Sequence, residues 1–306
     1  MEETKELFEI VGPEDAADIN SNQSESITFL QDVVRRFKKN KAGVVCLIIL
    51  GLLIVGSIVC PYITGRNISD QDLANTNLGM FQNGYIFGTD NLGRDMFSRV
   101  WYGTRISLTI ALAAVLIGLC IGAVYGGISG YFGGKVDSIM MRIVDIIIAI
   151  PYLLVVILLM IILRPGVGTL ILAYAAVGWT EMARLVRGEI MKLKESEYVL
   201  ASRVLGASPW HIIFYSLLPN TLSVIIVELT LTIPSAIFTE SFLSYIGIGV
   251  QIPLASLGTL ASEGIASFQM YPHRLIIPAA FLCITMLTFN LLGDALRDVL
   301  DPKLRK

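Results

Sequence analysis

Residues 196–220 read SEYVLASRVLGASPWHIIFYSLLPN, a helix-forming and partly polar segment between two long apolar runs. Its residue order predicts two short helices. Ser196 is placed to cap the first helix, and Glu197 would put a negative charge in its first turn, where it suits the helix dipole. Gly206 would end this helix, because glycine accepts the left-handed conformation in which many helices stop.

The second helix of this segment is expected to begin with a serine and a proline. Ser208 can cap it, and Pro209 would occupy its first position, where a missing N–H removes no hydrogen bond. Pro219 is expected to close it, since proline disrupts a helix interior. The segment therefore predicts a rigid helical hairpin against which a partner protein could push.

The composition of the whole chain indicates a membrane protein. Of its 306 residues, 54% are hydrophobic and 16% are charged, whereas soluble domains average about 25% charged residues. A run of about 20 apolar residues can cross a bilayer as a helix. Six segments meet this description: 42–60, 105–129, 139–163, 168–187, 221–241 and 275–293. The fold class is therefore predicted as an all-α integral membrane protein with about six transmembrane helices.

The positively charged residues predict the orientation of these helices. Arg35, Arg36, Lys38, Lys39 and Lys41 abut the first apolar run. Such a cluster could contact nucleic acid, but retention on the cytoplasmic side of a membrane is the better interpretation. With both termini cytoplasmic, 17 of the 23 Lys and Arg residues would lie inside and 6 outside, in agreement with the positive-inside rule.

This orientation divides the chain into parts. A polar and basic cytoplasmic tail (1–41), of which residues 1–30 are expected to be partly disordered, precedes the first membrane helix (42–60) and an extracytoplasmic loop (61–104). The following core (105–295) contains the cytoplasmic loop 188–220, and a cytoplasmic C-terminal tail (296–306) ends the chain.

Glycines recur at every fourth position in the second apolar segment, at Gly118, Gly122, Gly126 and Gly130. At this spacing they share one face of a helix and allow another backbone to approach closely. We therefore predict a helix-packing seam along this face. Pro151, inside the third segment, is expected to bend its helix.

Three acidic residues fall inside predicted membrane segments, where ionisable groups are costly and tend to face a bundle interior or water. Asp145 has Arg142 as a possible partner one helical turn away. Glu228 would lie roughly 10 Å deep, with no basic residue of its own helix in reach. Glu240 lies near the outer end of the same segment, after a kink expected at Pro234. Each could line a substrate path or hydrogen-bond to a neighbouring helix.

The sequence argues against catalysis by this chain. Gly133-Gly134-Lys135 lacks the hydroxyl residue and the earlier glycine of a nucleotide-binding P-loop, and neither H-E-x-x-H nor G-x-S-x-G occurs. The four cysteines and two histidines do not cluster at metal-ligand spacing. No cofactor or metal is therefore expected in this chain, and energy for any transport would come from another subunit.

Several separated motifs resemble those of ABC-importer permeases. The segment that opens with Glu197-Tyr198 and closes with Leu218-Pro219-Asn220 is similar to the cytoplasmic "EAA" loop of that family, although Leu200 and Ser202 replace its glutamate and second alanine. Further matches, in the family's order, are FGTDNLGRD at 87–95, GW at 178–179, ARLVRG at 183–188, FLS at 242–244, FNLLGD at 289–294, LRD at 296–298 and DP at 301–302.

This resemblance implies a type I ABC-importer permease, the C-type second permease subunit of the oligopeptide/dipeptide/nickel subgroup, in the cell membrane. Its expected partners are a homologous permease, two ATPase subunits that carry ATP and Mg, an extracytoplasmic binding protein and the bilayer, without nucleic acid. The residues implied to contact the ATPase are Glu197, Tyr198, Ala201, Arg203, Gly206, Ala207, Ser208 and Pro219.

The substrate expected from the same resemblance is an oligopeptide, with dipeptides or nickel chelates as alternatives. A secondary transporter or a channel that works without ATP is a more remote alternative. The first of these would show paired inverted repeats with broken helices, of which the sequence gives no convincing sign.

Overall fold

The structure is a computed structural model that describes residues 29–251 and 253–300. Within those ranges the chain folds into a series of helices joined by loops. The helices are α1 (Phe29–Lys39), α2 (Lys41–Ile63), α3 (Met96–Phe132), α4 (Gly134–Ala149), α5 (Tyr152–Leu163), α6 (Val167–Val177), α7 (Trp179–Leu193), α8 (Glu197–Val204), α9 (Pro209–Tyr245), α10 (Leu257–Ala266) and α11 (His273–Leu300).

Four helices are long and apolar enough to cross a membrane, namely α2, α3, α9 and α11. A fifth span results if α4 and α5, which meet at an angle of 78°, are taken together. These counts refer to residues 29–251 and 253–300. The prediction of an all-α membrane protein is confirmed, although six spans were expected.

The third predicted span, 139–163, is broken at Pro151. Ile150, which precedes the proline, has extended backbone angles (φ −82°, ψ 121°) and ends α4. A residue before proline avoids the helical region because the proline ring clashes with its backbone. The bend expected from Pro151 is therefore a complete interruption, and α5 starts in a new direction after it.

The fourth predicted span, 168–187, is divided at Gly178 into α6 and α7. The 11 residues of α6 are uncharged and mostly apolar. In contrast, α7 carries Glu181, Arg184 and Arg187 and extends to Leu193, well past the predicted end. Neither helix alone meets the length and hydropathy needed to cross a bilayer. The charged residues of α7 thus distinguish it from a membrane-spanning helix, and α7 leads into the 196–220 segment.

The long helix α3 is the central element of the fold. Asp95 caps it by accepting hydrogen bonds from the backbone N–H groups of Phe97 (3.2 Å) and Ser98 (3.3 Å), so it begins nine residues before the predicted start at 105. Its 37 residues extend over roughly 55 Å at about 1.5 Å per residue. Helices α2, α7, α9 and α10 all pack against it.

Parts of both predicted tails are helical in the structure. The N-terminal tail 1–41 contains a described helix, α1, and its residues 1–28 lie outside the described part of the chain. At the other end, α11 continues to Leu300, so the first five residues of the predicted tail 296–306 are helical. Residues 301–306 lie outside the described part.

Candidate functional site

The 196–220 segment forms the predicted hairpin, with α8 and the start of α9 as its two arms. Gly206 adopts a left-handed conformation (φ +84°). The turn closes through hydrogen bonds from the Gly206 N–H to the Arg203 carbonyl and from the Ala207 N–H to the Ser202 carbonyl, both 3.0 Å. A left-handed glycine after the last helical turn is the arrangement that the sequence predicted.

Of the two serine caps predicted for the hairpin, that of Ser208 is confirmed and that of Ser196 is wrong. Ser208 Oγ accepts a hydrogen bond from the His211 N–H at 3.3 Å, and Pro209 occupies the first helical position. Ser196 precedes α8 with extended backbone angles but makes no side-chain cap; its hydroxyl instead donates to the Leu193 carbonyl at 2.5 Å. Ser196 therefore joins the end of α7 to the hairpin.

The prediction that Pro219 closes the second arm is wrong. The helix that starts at Pro209 passes through a π-helical stretch, Ile212–Leu217, and continues as Leu218–Tyr245. A widened turn before a proline accommodates its ring and its missing N–H. The consequence is that the second arm and a membrane-spanning helix are one continuous rod, α9.

The base of the hairpin is buried, whereas its tip is exposed. Val199, Ile212 and Leu217 have no exposed surface and pack with Met182, Val186 and Ile190 of α7. At the turn, Val204 and Leu205 are 87% and 85% exposed. A rigidly seated element thus presents unpartnered apolar side chains at its end.

Several of the predicted contact residues lie around this tip. Tyr198, Ala201, Gly206 and Ser208 are exposed, and Ala207 is half-buried. Arg203 is turned back toward the fold, with its guanidinium carbon 5.1 Å from the centre of the Tyr131 ring at the end of α3. Glu197 is exposed in the first turn of α8.

Polar contacts fix α4 and α7 close to the hairpin. Arg187 forms two hydrogen bonds with the Asp137 carboxylate, through Nε to Oδ1 and through Nη2 to Oδ2. Ser129 Oγ donates to Asp137 Oδ1 at 2.6 Å, and Lys194 Nζ donates to the Gly130 carbonyl at 3.1 Å. These contacts connect α3, α4 and α7 at one end of the molecule.

The glycine face of α3 lies directly against α7. A Cβ atom at Gly122 would lie 2.6 Å from the Trp179 carbonyl oxygen, and one at Gly130 would lie 2.8 Å from that of Arg187. At Gly126 it would collide with the Ala183 carbonyl, while Gly118 has ordinary contact distances to Gly178 and Trp179. The two backbones therefore approach as closely as glycine allows.

Among the three acidic residues of the predicted spans, Asp145 has a different partner from the expected one. Its Oδ1 atom is 2.5 Å from Nη2 of Arg184 on α7, rather than paired with Arg142. Both side chains are about half exposed. The pair links α4 to α7, and sequence proximity could not have identified it.

Glu228 and Glu240 occupy contrasting environments on α9. Glu228 borders a small cleft whose other lining residues include Glu181, Tyr174 and Thr232. Glu240 is buried, and its carboxylate accepts hydrogen bonds from Ser107 Oγ and Ser244 Oγ, both at 2.7 Å. Ser107 Oγ also lies 3.3 Å from the Leu257 N–H at the start of α10. Glu240 thus joins α3, α9 and α10.

The FGTDNLGRD motif builds an ion-pair network at the opposite end of α3 from the hairpin. The loop network consists of Asp90, Arg94, Arg99 and Glu263. Asp90 Oδ2 is 2.6 Å from Arg94 Nε and 2.5 Å from Arg99 Nη1. Arg99, 1% exposed, also binds Glu263 of α10 at 2.8 Å and 3.1 Å. The loop is thereby joined to both α3 and α10.

Two neighbours complete this end of the molecule. Arg274 of α11 donates from Nη2 to the Asn77 side chain and to the Thr89 carbonyl, each at 2.7 Å. In the same loop, Asn75 donates to Asp72 at 2.8 Å, which lowers the pKa of the Asp72 carboxyl. Burial raises the pKa of Tyr85, whose hydroxyl also bonds Asp72. These contacts give the loop a defined structure.

Sequence reasoning missed two groups of residues. Glu263 and Arg99 are far apart in sequence, and only the tertiary fold brings them together. Val204 and Leu205 could have been recognised from the sequence. These two apolar residues directly precede the helix-ending glycine, and their spacing does not place them on the same helix face as the buried Val199. No group of three or more His, Cys, Asp or Glu side chains suited to a metal occurs within 29–251 and 253–300.

Comparisons with known proteins identify the class. Residues 118–306 match the family described as the inner membrane component of binding-protein-dependent transport systems. The chain belongs to this family and is a multi-pass inner-membrane permease, the non-catalytic component of an ABC transporter in which a separate ATPase binds the ATP. Membership implies ATPase and binding-protein partners.

The particular type follows from closer relatives. Residues 28–79 match the N-terminal transmembrane domain of oligopeptide transport permease C. The chain is 48% identical to a dipeptide transport system permease protein, DppC, of Bacillus subtilis, over 97% of this chain and 93% of that protein. It is also 48% identical to the oligopeptide permease OppC of the same organism, over 99% and 98%. The chain is therefore a permease of the OppC/DppC type.

A solved structure supports the fold. A structure titled as an inward-facing conformation of the MetNI methionine ABC transporter matches with a TM-score of 0.56 and 20% identity, over 67% of this chain and 97% of that one. The oligopeptide permease OppC of Escherichia coli K12 is 44% identical over 91% of this chain and 93% of its own length.

Proposed function

We propose that this chain forms one half of the translocation path of an ATP-driven oligopeptide importer, and that its hairpin is the point at which a separate ATPase moves it. The observation that carries the proposal is the contrast within the hairpin. Val199 at its base has no exposed surface, whereas Leu205 at its tip is 85% exposed. Such a tip suits a partner cleft that buries apolar side chains.

The connections of the hairpin support this role. Because α9 runs without interruption from the hairpin into a membrane-spanning segment, a displacement at the tip also displaces that segment. The contact between α7 and the glycine face of α3 would carry the same displacement to the longest helix of the fold. Movement between two packed arrangements of this kind is alternating access.

The proposed assembly contains a homologous second permease, two ATPase subunits and an extracytoplasmic binding protein. The substrate would pass between the two permeases, and the hairpin would face the cytoplasm. The loop network lies at the other end of α3, which would then face the binding protein. Glu228, beside its cleft, is our candidate for a polar residue of the translocation path. Asp145 on α4 and Glu240 further along α9 are proposed to support it.

The substrate is proposed from the relatives. One relative named for oligopeptide transport, the OppC protein of Bacillus subtilis, matches this chain over 98% of its own length. Dipeptides are the second candidate, since a relative named for them is equally identical to this chain. Uptake competition in the complete transporter, between labelled pentapeptide and unlabelled di-, tri- and pentapeptides, would decide. Inhibition by dipeptides alone would contradict the oligopeptide proposal.

Two substitutions test the coupling role of the hairpin. We expect Leu205→Ala to leave the permease folded but to reduce co-purification of the ATPase roughly tenfold, because a docked leucine contributes about 1.5–3 kcal/mol. Val199→Ala, six positions earlier, should instead lower the melting temperature of the isolated permease through a cavity at the base.

The outcome separates the remaining alternatives. If Leu205→Ala retained the ATPase as well as the unsubstituted permease does, the tip of the hairpin would not be part of the ATPase interface. Uphill uptake of peptide by the purified permease without any ATPase would establish a secondary transporter, and passive solute flux would establish a channel.

A further inference from the structure

The first two helices carry a basic surface that the proposed transport function does not use. Arg35, Lys38 and Lys39 are exposed on α1, and Lys41 is exposed at the first position of α2. Asn40 separates the two helices and caps α2 by accepting a hydrogen bond from the Gly43 N–H at 3.0 Å. The α1–α2 junction is thus a compact structured element with a cluster of cations.

An apolar groove of about 460 Å³ begins at this junction and runs between α2 and α11. Lys41 lies at its α1 end. The other lining residues are Ala42, Val45, Cys46 and Ile49 of α2 and Ile284, Leu287, Thr288 and Leu291 of α11. From Lys41 to Ile49 the groove extends about 12 Å along α2. It therefore combines a long apolar trough with a cationic end.

Cations dominate the charge around the groove entrance. Asp32 of α1 is paired with Arg36 at 2.9 Å. The nearest acidic residues on α11 are Asp294 and Asp298, both exposed, with Arg297 between them. Four exposed cations at the α1–α2 junction outnumber these carboxylates. Lys41 lines the groove, whereas Lys38 lines a separate cavity on α1 with Val34 and Arg35. The two lysines are three residues apart, so their Cα atoms are separated by at most about 11 Å, a distance that two flexible lysine side chains can close on one phosphate.

We propose that this groove binds one acyl chain of an anionic phospholipid, with its phosphate held by Lys38 and Lys41. Acyl chains are as apolar as leucine, so the groove alone gives no preference among phospholipids of equal chain length. The preference comes from the head group, because lysines near a membrane surface attract anionic lipids. The α1–α2 junction would thereby be anchored at the lipid head-group level.

The test uses the full-length permease, purified with its partner subunits and stripped of lipid in detergent. Native mass spectrometry then measures retention of phosphatidylglycerol and of phosphatidylcholine with the same chains. We expect the unsubstituted permease to retain phosphatidylglycerol in preference to phosphatidylcholine. In the double variant Lys38→Gln/Lys41→Gln, retention of phosphatidylglycerol should fall, by about fivefold for each of the two lysines removed. The control Lys135→Gln/Lys192→Gln removes two other exposed lysines and should retain the lipid.

A groove-filling pair tests the acyl-chain site. Leu287→Trp occupies the trough at a position that is 58% exposed, and should reduce phosphatidylglycerol retention. Ile161→Trp, at a 75% exposed position of α5, should not. Equal retention of the two lipids, equal loss in the control variants, displacement of the lipid by inorganic phosphate, or a groove occupied by the second permease would each overturn the proposal.

Discussion

At the residue scale, single positions determine the shape of the hairpin. Gly206 is the clearest, because its φ of +84° is a conformation that β-branched residues avoid and nothing lies within 4 Å of a Cβ added there. A substitution at this position therefore changes the backbone preference alone, without any steric clash against the rest of the fold.

We expect Gly206→Val to strain the turn by about 1–2 kcal/mol and to uncouple ATP hydrolysis from uptake, because the two arms no longer keep their angle. Gly206→Asn should retain most coupling, since asparagine tolerates the left-handed region. Gly188→Ala provides the control: that glycine is helical and also has free space, so alanine should be neutral or stabilising. Equal coupling in all three variants would disprove this role of the turn.

Glu240 provides a second residue-scale prediction. Its carboxylate accepts hydrogen bonds from Ser107 and Ser244 in a buried site. Glu240→Leu should leave these hydroxyls without their acceptor, at about 1–3 kcal/mol each, and lower the melting temperature of the purified permease. Glu240→Gln, which keeps an acceptor, should be milder. Glu228→Gln should leave the melting temperature unchanged. If Glu228→Gln shifted the melting temperature more than the Glu240 variants do, Glu228 and not Glu240 would be the residue that stabilises the fold.

At the element scale, the sequence predicted the Ser208 cap, the Gly206 turn and the glycine face correctly, but it was wrong about the Ser196 cap and about several helix ends. Ser208, Pro209 and Gly206 act locally, within a few residues, so their effect is visible in sequence. Pro219 was misread because a π-helical stretch before it allows the helix to continue. Pro219 would end the helix without that widened turn, and the sequence contains no pattern that predicts the π-helical stretch.

Long-range pairing was not predictable for a related reason. Asp145 has Arg142 one turn away, yet it binds Arg184, because α4 and α7 pack side by side. Which helices become neighbours, when they are distant in sequence, depends on where two backbones can approach closely, as at the glycine face of α3. The same applies to Arg99 and Glu263, which no spacing rule connects.

The glycine face allows an element-scale prediction. Gly126→Leu would place side-chain atoms into the backbone of α7 around Ala183, so the α3–α7 contact must open. We expect loss of folded, detergent-stable permease, measured by size-exclusion chromatography after membrane extraction. Gly51→Leu in α2 has nothing within 4 Å and should yield normal protein. Equal yields of the two variants would show that the seam tolerates separation.

At the scale of the whole molecule, α3 connects two different ends. The loop network lies at its N-terminal end, and the contacts of Arg203 and Lys194 lie at its C-terminal end, roughly 55 Å away. If the hairpin receives the ATPase, the loop network is placed to respond to the binding protein. Coupling between the ends would then be carried by packed helices with two arrangements.

The loop network supplies the test at this scale. Arg99→Leu should remove the closer of the two cations that Asp90 and Glu263 share and leave them with Arg94, at 2.6 Å and 3.4 Å. Breaking a buried ion pair costs about 3–5 kcal/mol. Glu263→Gln removes only one charge, from a side chain that is 36% exposed. We therefore expect Arg99→Leu to destabilise the fold, and Glu263→Gln to leave it intact.

Glu263→Gln is consequently the variant in which signalling can be separated from stability. Without its charge, α10 is held less firmly to the loop, so ATP hydrolysis stimulated by the loaded binding protein should fall several-fold while unstimulated hydrolysis stays constant. Glu189→Gln, which removes the half-buried partner of the exposed Lys192 near the other end, is the matched control for charge. If stimulated hydrolysis fell equally in both variants, the effect would be due to net charge. If stimulation were unchanged in Glu263→Gln, the loop network would have a structural role only, in holding the loop.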